Sequence, residues 1–142
     1  MNENLNKIYR ICDANFNRAK EGLRVVEDYF RFFAENNDIM QEIRDIRHNL
    51  GKIIDKELLK KFVYERDVFK DAGMSIKEES REKVENILIA NIKRVQEALR
   101  VLEEYFKIIS NDKSKMFKDL RFRVYNLEKG ILKNDKEYNS KL

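Results

Sequence analysis

The sequence predicts an all-α protein: a helical bundle built from two pseudo-repeated antiparallel hairpins of long helices. Three observations carry this. The chain of 142 residues has no Pro and only 4 Gly, so helix breakers are scarce. Apolar residues recur at helical spacing over stretches much longer than a strand, and no alternating strand pattern occurs. A long motif is also written twice, Ala14–Phe30 recurring as Ala90–Phe106, 76 residues on.

From Leu5 to Phe33 one apolar phase holds, through Ile8, Cys12, Ala19, Leu23, Val26, Phe30 and Phe33. So broad a face belongs to a helix packed on more than one side. Asn36-Asn37-Asp38 stops it, and Asp38 with Gln41 has capping-box spacing for a second helix through Ile43, Ile46, Leu50 and Ile53. A short turn with Leu58, Leu59 and Phe62 follows, then an aperiodic stretch from Tyr64 to Met74. Ser75 and Glu78 form another capping box, predicting a third helix from there to Phe106. Ser110-Asn111-Asp112 opens a fourth, through Phe117, Leu120, Val124 and Leu127, and the lysine-rich tail from Lys133 reads as a solvated end. This gives one domain over 1–142, with halves 1–62 and 75–133 joined by a loop at 63–74.

Composition narrows the function classes. Hydrophobic residues make up 42% and charged residues 39%, which fits a globular helical protein and not a disordered one. No apolar run is long enough to span a bilayer, and the N-terminus lacks a signal pattern, so a cytoplasmic location is expected. The net charge of +4 has its signs interleaved, which suits a small anion better than nucleic acid. Cys12 is the lone cysteine and reads as a buried hydrophobe. A homodimer is compatible with the broad apolar faces.

The informative residues are polar groups on apolar faces. Asn15 and Arg18 lie within the first helix's apolar face, and Asn91 and Arg94 repeat them in the third. Arg47 and Arg121 take inward positions in the second and fourth helices. Glu21 and Glu97 stand three residues beyond Arg18 and Arg94 and can pair with one arginine each, leaving Arg47 and Arg121 without an evident acid. Glu27 with Arg31 and Glu103 with Lys107 read as surface pairs at i,i+4. Phosphate is the ligand that best suits surplus guanidinium forks.

The central loop adds Arg66-Asp67 and Asp71-Ala72-Gly73, whose Asp67 and Asp71 offer hard oxygens for Mg²⁺. His48 is the only histidine, a candidate acid–base group or phosphate donor that cannot build a zinc site alone. No Walker loop or protein-kinase motif occurs.

Asp13-Ala14-Asn15, Asn17-Arg18-Ala19, Glu21-Gly22-Leu23-Arg24-Val25 and Glu27-Asp28 together resemble the helical domain often fused ahead of thiamine-phosphate synthase. Ile46-Arg47-His48, Ala90-Asn91, Arg94, Gln96-Glu97-Ala98-Leu99-Arg100 and Leu120-Arg121-Phe122-Arg123 extend the resemblance over nearly the whole chain. Where that family has Arg-Asp and then Asp-Val-Gly-Thr in its loop, this chain keeps Arg66-Asp67 but reads Asp71-Ala72-Gly73-Met74. The resemblance implies a non-standard kinase that converts 4-amino-5-hydroxymethyl-2-methylpyrimidine phosphate to its diphosphate with ATP and Mg²⁺. It implies Arg18, Arg47, Arg94, Arg121 and His48 as catalytic and Asn15, Asn91, Glu21, Glu97 and Arg66 as substrate-binding. Asp67 and Asp71 would hold metal, with Glu97 a further candidate. The synthase would be a separate partner. The rival reading is a non-catalytic helical module that binds a phosphorylated ligand or a thiamine-pathway enzyme.

Overall fold

The computed structural model describes residues 3–141; Met1, Asn2 and Leu142 lie outside the described residues. It is an all-α bundle of six helices among those residues: α1 (Glu3–Asp28), α2 (Asn37–Ile53), α3 (Lys56–Glu65), α4 (Val84–Ile109), α5 (Asn111–Asn134) and α6 (Lys136–Lys141). α1 packs mainly on α4, and α4 in turn on α5, while α2 touches both α1 and α5. The core runs through Cys12, Leu23, Ile43, Leu50, Phe62, Leu99, Phe106 and Phe117. Burial pushes the Cys12 thiol up to about 12, so it stays a neutral hydrophobe.

The side chains at the helix starts explain most boundaries. Asn36 accepts from the Ile39 N–H at 3.1 Å, Asp55 from Leu58 at 2.9 Å and Ser110 from Lys113 at 3.3 Å. The second helix is therefore capped two residues before the expected Asp38. The Ser75–Glu78 box opens no helix at all: Ser75 ends a short 3-10 turn, and α4 begins at Val84 without a side-chain cap. Residues 75–84 are all exposed, and a capping pair without an apolar face to bury cannot sustain a helix.

Two further departures shape the molecule. Residues Tyr29–Phe33 form one π-helical turn, which sets the helical phase back. Tyr29 and Phe30 stay buried, but Phe33 is 60% exposed where a regular helix would have buried it. The exit passes through Glu35 at φ 52, with the Asn36 N–H bonded back to the Phe30 carbonyl at 2.8 Å. The tail from Lys133 is largely exposed, as expected, but it carries one buried anchor. Tyr138 of α6 is fully buried, and its hydroxyl donates to Glu128 of α5 at 2.6 Å.

α1 and α4 meet at Gly22. A Cβ there would stand 2.7 Å from Val95 Cγ2 and 3.4 Å from the Asn91 carbonyl oxygen. Gly22→Leu should therefore force the two longest helices apart and cost about 1–3 kcal/mol, read as a lowered melting temperature.

Glu128 ties α6 to the bundle, accepting from Gln96 at 3.0 Å and pairing with Lys93 at 3.0 Å as well as holding Tyr138. Burial acts to raise its pKa, but the hydrogen bonds from Tyr138, Gln96 and Lys93 outweigh it and hold the carboxyl below its usual range. A depressed carboxylate stabilises the fold above its unfolded value of about 4.3 and loses that contribution as pH falls through its folded value. The stability gap between wild type and Glu128→Gln should thus be constant above about pH 5 and narrow below about pH 4 in thermal melts.

Candidate active site

A cleft of about 570 Å³ lies against α1, the C-terminal half of α4 and the segment after α3. α1 contributes Lys7, Arg10, Asp13, Asn15 and Arg18; α4 contributes Val101 and Tyr105; the loop contributes Arg66, Asp67, Val68 and Asp71. Five predicted site residues thus come together here: Asn15, Arg18, Arg66, Asp67 and Asp71. Lys7, Arg10, Asp13 and Tyr105 are not among the predictions. Lys7, Arg10 and Asp13 follow one another at i,i+3 on α1, and that spacing was the available signal.

Within the cleft, the polar contacts are specific. Asn15 donates through Nδ2 to the Ile11 carbonyl at 2.9 Å and accepts through Oδ1 from Arg18 Nη1 at 3.2 Å. Arg18 itself is exposed and Asn15 buried, so the amide steers a guanidinium that reaches into water. Arg66 donates from Nε and Nη2 to both oxygens of Asp13, each at 2.7 Å. Asp13 is only 4% exposed, and its carboxylate pushes the Arg66 guanidinium above its ordinary pKa. Arg66 thus lines the cleft with its fork committed to Asp13.

The loop carboxylates also serve the backbone. Asp67 Oδ1 accepts from Phe69 N at 3.2 Å and Lys70 N at 3.3 Å, and Asp71 Oδ1 accepts from Gly73 N at 2.8 Å. A Cβ at Gly73 would press on that Asp71 oxygen at 3.0 Å, which is the local reason for a glycine.

The remaining predicted residues do not converge. Arg47 donates through Nε to Glu27 at 3.0 Å, and Glu27 is 2% exposed. Arg121 Nε donates to Glu103 at 3.1 Å, with Arg100 Nη1 on the same carboxylate at 3.0 Å. The expectation that Arg47 and Arg121 lack acids is therefore corrected. Glu27 and Glu103 are buried partners across helices, not surface partners of Arg31 and Lys107. Arg47 and His48 line a separate cleft with Arg44, and Arg121 lines a third with Lys115 and Lys118. Arg94, Glu21 and Glu97 are exposed. Neither acid forms an ion pair with Arg18 or Arg94 among the described residues. Asn91 is half-buried at the α1–α4 crossing and donates to the Ile87 carbonyl at 2.8 Å.

The ThiD2 family model matches residues 10–130. The chain belongs to the ThiD2 family. It is 40% identical over 131 residues to the thiamine-phosphate synthase of Thermosynechococcus vestitus, covering 90% of this chain and 36% of that protein. It is 43% identical over 128 residues to that of Synechocystis, covering 88% and 36%. To that of Nostoc punctiforme it is 40% identical over 128 residues, covering 88% and 35%. The chain thus spans about a third of the length of the curated relatives it matches. No solved structure matches it.

The ThiD2 match takes in every cleft residue except Lys7 and leaves out α6. No cluster of three or more metal-binding side chains occurs among the described residues. Asp67 and Asp71 each keep a second oxygen free of hydrogen bonds among the described residues, and that pair fits Mg²⁺ bound largely through phosphate and water. No helix of the described residues is long and apolar enough to cross a membrane.

The ion pairs make a direct stability prediction for this ThiD2 chain. Arg47→Ala strands the buried Glu27 and should cost about 3–5 kcal/mol, whereas Arg18→Ala should leave the melting temperature nearly unchanged.

Proposed function

We propose that this chain phosphorylates 4-amino-5-hydroxymethyl-2-methylpyrimidine phosphate to its diphosphate, using ATP, in thiamine biosynthesis. Membership of the ThiD2 family supports a kinase-type role in that pathway. One observation carries the assignment to a site. In the cleft, Arg10 and Arg18 stand without a carboxylate partner among the described residues, beside Asp67 and Asp71. Two unneutralised guanidiniums suit a phosphorylated ligand, and the loop acids suit the metal that accompanies a nucleotide.

A substrate phosphate oxygen attacks the γ-phosphorus of ATP, the bond from that phosphorus to the β–γ bridging oxygen breaks, and ADP departs with the electron pair. Mg²⁺ when bound supplies positive charge to the nucleotide phosphates. The nucleophile is already an anion, so no strong base is needed, and positioning and charge do most of the work. Arg18, steered by Asn15, and Arg10 hold the phosphates. The half-exposed Tyr105 gives a flat face for the pyrimidine ring.

We further read the domain, 1–142, as two duplicated antiparallel hairpins with a single site between them. Tyr29 is the internal counterpart of Tyr105, yet it is 9% exposed against 38% and bonded to Asp135 at 3.2 Å. The copy containing Asn91 and Arg94 is thereby closed by the α5–α6 junction. Thiamine-phosphate synthase, the name borne by the longer relatives, would act next as a separate partner.

Incubation with ATP, Mg²⁺ and either the pyrimidine alcohol or its monophosphate tests the reading. Diphosphate should form from the monophosphate only; tight binding without turnover would instead indicate a non-catalytic module. Arg18→Ala should lower kcat/KM about a hundredfold, while Arg94→Ala should stay within about twofold of wild type.

A further inference from the structure

The segment after α3 bears two carboxylates of the proposed site but has little of its own to hold it there. Its two 3-10 turns, Val68–Lys70 and Ala72–Ser75, pack chiefly on each other. Val68, Phe69, Met74 and Ile76 are all exposed, Phe69 at 87%, so no apolar anchor fixes the loop to the bundle. The hydrogen bonds of Asp67 and Asp71 are local, closing turns within the segment itself. The strong long-range tie is Arg66. It stands at the C-terminal cap of α3, immediately before Asp67, and grips Asp13 of α1 through two parallel bonds.

Asp13 is itself built in. It lies on the buried face of α1, and Asn17 Nδ2 donates to its Oδ1 at 3.0 Å. A fork on a planar carboxylate fixes direction as well as distance, which a single lysine contact would not do. The residue that receives this fix is bonded directly to the first loop acid.

We propose that Asp13 and Arg66 are positioning residues: their fork holds the Asp67–Asp71 loop over the cleft, and neither touches substrate. The role in turnover rests on the kinase reading; the anchoring does not. A displacement of about 1 Å in groups that place phosphate and metal can cost on the order of a hundredfold in rate. Asp13→Asn keeps the shape and removes the charge that Arg66 grips. Arg66→Gln removes the fork from a partly exposed position, and the double variant removes both without stranding a charge.

Two measurements on the full chain test this. Chymotryptic cleavage after Phe69, read without substrate, should quicken about tenfold in either single variant while the helical signal persists. In diphosphate formation, each single variant should lose about 30–100-fold in kcat/KM and need about tenfold more Mg²⁺ for half-activation. The double variant should lose no more than either single one, within about twofold, because Asp13 acts only through Arg66. Unchanged cleavage in Arg66→Gln overturns the proposal, as does an unaltered Mg²⁺ requirement in all variants of an active enzyme. Should Asp13→Asn fail to fold, Arg66→Gln alone decides. Faster cleavage together with a wild type that makes no diphosphate overturns the kinase reading and upholds the anchor.

Discussion

Three carboxylates on the inner faces of the long helices are almost wholly withdrawn from water, and each is answered by an arginine from another element. Glu27 of α1 takes Arg47 of α2, Glu103 of α4 takes Arg121 of α5, and Asp13 of α1 takes Arg66 at the end of α3. An unpaired buried carboxylate costs several kcal/mol, so each pair constrains how its second element can rotate and slide on the first. Hydrophobic burial drives these helices together but tolerates many rotations; a guanidinium on a buried acid tolerates few. The pairs therefore sort the arginines by role. Arg47, Arg66 and Arg121, each on a buried acid, set the architecture; among the arginines with no ion pair in the described residues, Arg10 and Arg18 line the cleft.

Much of the fold was legible because helical periodicity is a local property. The absence of strands and the caps at Asn36 and Ser110, or within two residues of them, follow from neighbouring residues alone. Three features needed more than neighbours. A fixed angle per residue cannot register the π turn at Tyr29–Phe33, so Phe33 was assigned to the core and lies in water. Ser75 and Glu78 have the chemistry of a cap, but the following residues supply no buried face, and packing overrules the cap. Tyr138 sits in a lysine-rich stretch whose composition hides one aromatic ring aimed at Glu128.

The site was legible to the same degree and for the same reason. Asn15, Arg18 and the loop acids stood out because they break an apolar pattern or follow one another in sequence. Arg47 and Arg121 broke the pattern too, but their acids are 20 and 18 residues away on another helix, where wheel reasoning offers no partner. A clue was present. Glu27 and Glu103 keep their identity between the two copies, as Arg47 and Arg121 do, while the adjoining Asp28 and Glu104 differ. That matched pair of opposites is the one the structure joins in both halves.

On the proposed duplication, the ion pairs also explain why one cleft would suffice. Glu27–Arg47 and Glu103–Arg121 occupy corresponding positions, so the helical frame treats both halves alike. The third pair has no such counterpart: the position corresponding to Asp13 is Ile89, which can hold no arginine. A loop carrying acids could thus be fastened on the first half and not on the second, where Asp135 accepts from Tyr29 instead. Symmetry would give the bundle its stability. The break at this position, an acid in place of an isoleucine, would decide where phosphate chemistry can be assembled.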